Sequence, residues 1–325
     1  MKPAFIITID TEGDNLWGRC PGPPTTANAR FLPRFQQLCE RYSFKPVYLT
    51  TYEMARDPFM IEFGRDVIRR GCGEIGTHPH PWDSPPFERL TSDDNRFHPY
   101  MIEYPTRVIR DKVQYLTDLL EDTFGLKMRS HRAGRWAFNI TYAQILLEIG
   151  YQVDCSVTPF VSWVLKKGCP KGIGGSNFLR YPDVAYFPDT MDMSHSGNLP
   201  LLEVPMTIMP RKGGSMRRIL PHLFYRNIHA QYWLQRFWPL VWLRPNGSNL
   251  EDMLWLIQKR VDAKHTYAEF MLHSSEFMPE GSPIFPDAYS IDKLYNDIEA
   301  LFEAASNQYV GMTLAEYYAY FRTIR

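Results

Sequence analysis

Two histidines stand two residues apart in the stretch "EIGTHPHPWDSPP", which runs from Glu74 to Pro86. On extended backbone, residues at this spacing point to the same side, so His78 and His80 could bind one metal ion. The prolines on either side of His80 fix φ and would hold both rings in place. The alternative is a pair of surface histidines in a rigid loop, and this stretch alone leaves both interpretations open.

A second pair at the same spacing is Asp10 and Glu12, in "TIDTEGDN". Two carboxylates on one side of the backbone suit a divided task, in which one binds a cation and the other accepts a proton. The segment "DTEGDN" is also typical of a turn, so either carboxylate could instead cap the start of a helix.

Three further polar groups follow strand-like segments. Arg132 and Arg135 come after the segment "KMRSHR", and His273 ends the apolar run in "FMLHSSEF", three residues before Glu276. A histidine at a strand end is often a buried residue with a structural partner. Beside a metal site, however, His273 would be placed to act as a general acid.

The segments that carry these residues alternate between strand and helix patterns. Apolar, β-rich runs such as "AFIITI" and "PVYLTT" are followed by segments with helical spacing, such as "RFLPRFQQLCERYS" and "PFMIEFGRDVIRRG". Repeated β-then-α units predict a parallel sheet, open or closed into a barrel. Because functional groups in such folds lie beyond the carboxyl ends of the strands, we expect these side chains to meet on one face.

In this order, the motifs "TIDTE", "EIGTHPHPW", "RSHRAGRW", "YQVDCSV" and "FMLHSSEF" resemble those of the NodB-homology polysaccharide deacetylases, carbohydrate esterase family 4. The resemblance implies an α/β fold, a distorted (β/α) barrel with about seven parallel strands. Proline and glycine are spread through the chain and no linker stands out, so we take residues 1–325 as a single catalytic domain of this type. The resemblance also implies a divalent metal ion held by one carboxylate and two histidines, and removal of N- or O-acyl groups, usually N-acetyl, from sugars.

The resemblance implies roles for individual residues by position. Asp10 matches the catalytic base and Glu12 the metal carboxylate, although the assignment of the base to one of the two remains open. His78 matches the first metal histidine, Arg132 the arginine that orients the base, and His273 the general acid.

The motifs also depart from the family pattern. The paired aspartates of the family are adjacent, whereas Thr11 intervenes here. The second metal histidine usually lies four residues after the first, where this chain has Trp82, so we assign His80 in its place. Ala133 and Gly134 stand where the family commonly has prolines. Neighbouring aromatic and polar residues are expected to bind the substrate, namely Trp82, Arg135, Trp136 and Glu276.

An aromatic and basic insertion occupies about residues 207–250. Between Val204 and Leu250 there is no acidic residue, and lysines and arginines alternate with aromatic side chains. The basic residues are Arg211, Lys212, Arg217, Arg218, Arg226, Arg236 and Arg244, and the aromatic ones Phe224, Tyr225, Tyr232, Trp233, Phe237, Trp238 and Trp242. This composition suits an anionic membrane surface or a phosphate- or lipid-linked sugar. The alternative is an insertion packed on the barrel with its arginines in solvent.

Composition excludes some classes of protein. Lys+Arg and Asp+Glu both total 36, so the chain lacks the basic footprint of a nucleic-acid-binding protein. Five cysteines without a CxxC pair favour reduced thiols. The sequence shows neither a signal-peptide pattern nor a run of roughly 20 apolar residues. We therefore expect a cytoplasmic protein, peripheral on the inner face of the membrane if the insertion binds lipid.

These features predict a metal-dependent hydrolase that removes an N-acetyl group from a sugar, a lipid- or nucleotide-linked intermediate of cell-surface polysaccharide synthesis. Zinc is the expected metal, and cobalt, nickel or manganese would suit the same ligands. One alternative is a deformylase of a lipid-linked amino sugar. Another is a non-catalytic carbohydrate-binding barrel with an incomplete site.

Overall fold

A computed structural model describes residues 2–14, 25–170, 172–212 and 236–324, together with residues 227, 230 and 233. The strands are β1 (Ala4–Thr11), β2 (Pro46–Thr50), β3 (Glu74–Thr77), β4 (Ser130–His131), β5 (Val153–Asp154), β6 (Leu202–Glu203), β7 (Ile208–Pro210), β8 (Leu240–Trp242), β9 (Tyr267–His273) and β10 (Val310–Gly311). The α-helices are α1 (Leu32–Arg41), α2 (Tyr52–Ala55), α3 (Pro58–Arg70), α4 (Asp94–Phe97), α5 (Thr106–Phe124), α6 (Ile140–Ile149), α7 (Leu250–Asp262), α8 (Ala288–Gln308) and α9 (Leu314–Phe321).

Strand β1 has partners on both edges. It pairs in parallel with β9 from Ala4 to Asp10 and with β2 from Ile7 to Thr11. All eight residues of β1 are buried, as expected for a parallel strand covered on both faces, and this explains its nearly continuous apolar run. β3 pairs in parallel with β2, and the short β10 lies beside the first residues of β1.

The remaining strands continue the same βα pattern. β5 and β6 pair in parallel, and the backbone N–H of Cys155 donates to the carbonyl of His131 in β4. β1–β6, β9 and β10 belong to one eight-stranded sheet, whereas β7 and β8 form a separate antiparallel pair. The predicted barrel-type arrangement of about seven parallel strands with helices is confirmed as an open, half-barrel sheet, to which β10 adds a two-residue strand.

The chain divides into two compact units. The first comprises residues 1–78, 116–130 and 243–325, and the second comprises residues 79–115 and 131–242. The single catalytic domain over residues 1–325 stays a prediction.

Helix α3 shows how local sequence sets the bounds of an element. The Asp57 side chain accepts a hydrogen bond from the Met60 N–H, which caps the helix, and Pro58 occupies the first turn. Gly71 ends the helix with φ 63°, in the left-handed region that glycine adopts without strain.

Part of the aromatic and basic insertion lies outside the described residues, including Arg217, Arg218, Phe224, Tyr225, Arg226 and Tyr232. Among the described residues, no helix combines the length and the apolar character that a membrane crossing requires.

An aromatic cluster in the first unit packs α8 against the sheet. The Phe302 ring lies 5.8 Å from Phe5, 5.2 Å from Phe44 and 5.6 Å from Phe270, each edge-on. Phe302 is fully buried. Edge-on aromatic pairs add to the free energy of burial, so the packing of this helix face stabilises the sheet.

We expect Phe302→Ala to lower the free energy of unfolding by about 3–5 kcal/mol, because it removes a buried ring and leaves a cavity. Chemical denaturation measures the change. Tyr289, on the same helix, is 82% exposed, so Tyr289→Ala is the control and should change the value by less than about 0.5 kcal/mol. Equal effects of the two substitutions would contradict this account of the core.

Candidate functional site

The pairing of β1 with β9 places Asp10 beside His273. These residues are register partners at the ends of the two strands. Residues at the same level of neighbouring strands point to the same face of the sheet. The His273 Nε2 atom consequently lies 3.9 Å from Asp10 Oδ2 and 3.7 Å from Glu12 Oε1. The predicted base and general acid are therefore brought together.

Hydrogen bonds to its backbone hold Glu12 in place. The Glu12 N–H donates to the Ser274 hydroxyl (3.1 Å), and that hydroxyl donates in return to the Glu12 carbonyl (3.0 Å). The Asn28 side-chain amide donates to the same carbonyl (2.7 Å). Ser274 and Asn28 are fully buried. Neither contact is predictable from the sequence, since no motif connects positions so far apart in the chain.

His78 continues the ladder between β2 and β3. Its N–H donates to the Thr50 carbonyl (3.0 Å), one position beyond the last pair of the two strands. The His78 Nε2 atom lies 3.6 Å from Asp10 Oδ2 and 3.6 Å from Glu12 Oε2. Asp10, Glu12 and His78 are each at most 5% exposed, so an imidazole and two carboxylates share a buried space.

Glu12, His78 and His80 form a group that fits a metal ion. Each offers one ligand atom, and these atoms all lie within 4.8 Å of one another. Ligand atoms about 2.0–2.2 Å from one tetrahedral ion lie about 3.3–3.6 Å apart, so side-chain movements of about 1 Å would bring these atoms to that spacing. One carboxylate oxygen and two imidazole nitrogens are a donor set that divalent transition metals accept. The predicted ligand residues are therefore close enough together to form such a site.

Gly134 makes room for the His80 ring. A Cβ atom at position 134 would lie 2.3 Å from His80 Nδ1, far inside van der Waals contact. The Gly134 N–H also donates to the Pro79 carbonyl (3.2 Å), so the two backbones are held close together. The His80 ring packs on Trp82, with ring centroids 4.3 Å apart. Two departures from the family pattern, the histidine at 80 and the glycine at 134, are thus physically linked.

Arg135 and Trp136 lie in a strained turn of the second unit. Both have positive φ, 55° and 59°, although neither is glycine, and this conformation costs on the order of 1–3 kcal/mol per residue. The Arg135 guanidinium lies 4.9 Å from the Trp82 ring centroid and donates to Asn95 Oδ1 (3.0 Å). Trp82, Arg135 and Trp136 stay predicted substrate-binding residues.

Arg132 is fully buried in the second unit. Its Nε donates to the Cys155 carbonyl (3.1 Å), and its guanidinium lies 4.7 Å from the Trp136 ring centroid. These contacts restrict the side chain to one orientation. Its role as the arginine that orients the base stays a prediction.

Glu276 lies behind His273 and is fully buried. One carboxylate oxygen accepts from the His273 N–H (2.8 Å) and lies 3.2 Å from its Nδ1, and the other accepts from Arg244 Nη2 (3.1 Å). Burial by itself would raise the pKa of Glu276, but the Arg244 charge and the hydrogen bonds from His273 outweigh it and lower the pKa to about 2. The predicted contact of Glu276 with a substrate stays a prediction.

Arg244 is a further residue at the site that no sequence motif predicts. It counted among the basic residues of the insertion, yet its Nη2 atom lies 3.0 Å from His273 Nδ1. Arg244 and His273 are 29 positions apart in the chain and do not belong to a common sequence motif. Only the folded chain reveals this contact.

We expect Gly134→Ala to weaken zinc binding by about 10–100-fold, because the added methyl group displaces the His80 ring. Competition with a chromophoric chelator measures the affinity. Gly125→Ala is the control: a Cβ at position 125 meets nothing within 4 Å, and the φ of 68° there strains any residue other than glycine. It should destabilise the chain without changing zinc affinity. Unchanged affinity in Gly134→Ala would count against His80 as a ligand.

Comparisons with known proteins bear on the fold. No family model matches the sequence, and no curated protein matches it. A protein named as a candidate glycoside hydrolase/deacetylase from Parabacteroides distasonis superposes with a TM-score of 0.62 at 11% identity, over 99% of this chain and 72% of that one. A candidate polysaccharide deacetylase from Mycobacterium smegmatis gives 0.52 at 14% identity, over 100% and 94% of the two chains.

A third solved structure has a different activity. The 4-alpha-glucanotransferase from Thermococcus litoralis gives a TM-score of 0.54 at 13% identity, over 98% of this chain and 40% of that one. At such identities these likenesses show the fold alone, and one fold can carry several chemistries. The expectation drawn from the motifs is confirmed at that level: this chain has the fold of the polysaccharide deacetylases that its sequence resembles.

Proposed function

We propose that this protein is a metal-dependent hydrolase that removes an N-acetyl group from a sugar. The observation that carries the proposal is the buried cluster in which Glu12, His78 and His80 offer ligand atoms within 4.8 Å of one another. Asp10 and His273 supply a carboxylate and an imidazole within 4 Å of members of this cluster. The likeness in fold to polysaccharide deacetylases supports a sugar as the substrate.

The metal and its ligands are part of the proposal. Glu12, His78 and His80 would hold a divalent cation, which we propose to be zinc, with cobalt, nickel or manganese as substitutes. When bound, such an ion lowers the pKa of water and polarises an acyl carbonyl.

Two side chains would move the protons of the reaction. Asp10 takes a proton from the water molecule whose oxygen attacks the carbonyl carbon of the acetyl group. The carbon–nitrogen bond then breaks, and His273 gives a proton from Nε2 to the departing amine nitrogen. Acetate and an amino sugar are the products. Arg132 would keep Asp10 ionised and aimed through a charge-assisted hydrogen bond.

The proposed substrate is a lipid- or nucleotide-linked intermediate of cell-surface polysaccharide synthesis, and the proposed location is the cytoplasmic face of the membrane. What supports it is the described part of the insertion. Trp233 and Phe237 are 57% and 61% exposed, and their rings stack with centroids 5.7 Å apart. Arg211 and Lys212 are also exposed. Exposed aromatic and basic side chains together are typical of surfaces that contact anionic lipid.

We expect Asp10→Asn and His273→Ala each to lower kcat by about 10²–10⁴-fold, because each removes a proton-transfer group. The measurement is acetate release from N-acetylated amino-sugar oligosaccharides, with zinc and after chelation. His195→Ala is the control, since the His195 side chain is 72% exposed, and it should leave turnover unchanged. Full turnover in either site variant would overturn the roles proposed here.

The same assay separates the alternatives. Release of formate from an N-formyl amino sugar, with no acetate from the acetylated one, would identify a deformylase. Zinc-independent sugar binding without hydrolysis would identify a non-catalytic carbohydrate-binding barrel.

We expect the protein to sediment with vesicles that contain anionic lipid, and less with purely zwitterionic vesicles. Trp233→Ala combined with Phe237→Ala should abolish the difference, because it removes the stacked exposed rings. Val184→Ala is the control, since Val184 is an exposed hydrophobic residue (39%) outside the insertion. If the paired substitution leaves sedimentation unchanged, the membrane proposal is contradicted, and the proposed reaction is unaffected.

A further inference from the structure

The His273 ring has two nitrogens with different surroundings. Nε2 faces the carboxylates, at 3.9 Å from Asp10 Oδ2 and 3.7 Å from Glu12 Oε1. Nδ1 faces the opposite way, at 3.0 Å from Arg244 Nη2 and 3.2 Å from Glu276 Oε2. Nδ1 thus has one partner that can only donate a hydrogen bond and one that accepts.

We propose that Arg244, acting with Glu276, is a positioning residue that holds the His273 ring with Nε2 toward Asp10 and Glu12. The catalytic role of this positioning rests on the proposed function, whereas the contacts of the His273 ring are independent of it. When Nδ1 carries no proton, it accepts from Arg244. When Nδ1 carries a proton, it donates to Glu276. The ring therefore keeps one orientation whichever nitrogen bears the proton, so Nε2 faces the carboxylates both before and after it gives up a proton.

The backbone around Arg244 supports this role. The Leu243 carbonyl accepts from the Met271 N–H in β9 (3.2 Å), two residues before His273. The Arg244 carbonyl accepts from the Asn249 side-chain amide (2.9 Å). Both contacts fix the residue beside the strand that ends at His273, as a group that orients another side chain requires.

Charge gives a second reason for Arg244. Glu276 is fully buried, and a buried carboxylate is costly unless a cation is paired with it. Arg244 supplies that cation at 3.1 Å, while its own side chain is 20% exposed. Without Arg244, the carboxylate would have to take up a proton or turn away, and either change would release the His273 ring.

The test uses the full chain and two measurements. The first is the two-bond ¹H–¹⁵N correlation spectrum of the metal-free protein labelled in histidine, in which His273→Gln identifies the His273 signals. We expect Arg244→Met to shift both ring nitrogens of His273, and Arg236→Met, at an exposed arginine of the same insertion, to shift neither. Unchanged His273 signals in Arg244→Met would overturn the proposal.

The second measurement separates positioning from substrate binding. We expect Arg244→Met to lower kcat for the acetylated oligosaccharide by about 10–100-fold with KM and zinc content unchanged, and Arg244→Lys to restore part of it. If Arg244 acts through Glu276, adding Glu276→Gln to Arg244→Met should lower kcat little further. A raised KM with unchanged kcat would make Arg244 a substrate contact and overturn the inference. If the wild type hydrolyses no acylated sugar, the proposed function fails, while the spectrum still decides the position of the ring.

Discussion

The site depends on the parallel pairing of β1 with β9. This pairing sets Asp10 and His273 at the same level of the sheet, and the loop after β1 is tied to the end of β9 by the Ser274 hydroxyl. A slip of one residue would turn either side chain to the opposite face. A buried hydrogen bond between the same strands also fixes the register: the Thr8 hydroxyl donates to Glu269 Oε1 (2.9 Å), and a slip would break this bond.

Concentrating acidic and imidazole groups in a buried space is unfavourable unless each charge is compensated. At this site two groups of residues compensate the charges, one on each side of His273. Glu12, His78 and His80 are arranged to share a cation, and Arg244 neutralises Glu276 on the far side of His273. His273 lies between the two groups and contacts Glu12 in one and Arg244 in the other. Its orientation is therefore a consequence of charge balance as well as of strand register.

Most of the fold and the core of the site could be predicted from the sequence. The i, i+2 spacing of Asp10 with Glu12, and of His78 with His80, follows from extended backbone, and the strand-end rule brought them together with His273. Trp82 occupies the position of the usual second metal histidine, and the sequence does not show that His80 fits instead. The space for the His80 ring depends on Gly134, which is distant in the chain. Fold similarity adds little about the reaction, because a glucanotransferase shares this fold.

The sequence by itself determined the alternation of strands and helices, the residue types at the strand ends and hence the class of chemistry, because these depend on short-range periodicity and composition. The tertiary structure alone decided which distant residues complete the site. Ser274 and Asn28 hold the Glu12 backbone, Gly134 admits His80, and Arg244 reaches His273 from the end of the insertion. Such contacts join positions that no local pattern relates, so they exist only once the sheet has brought its strands into register.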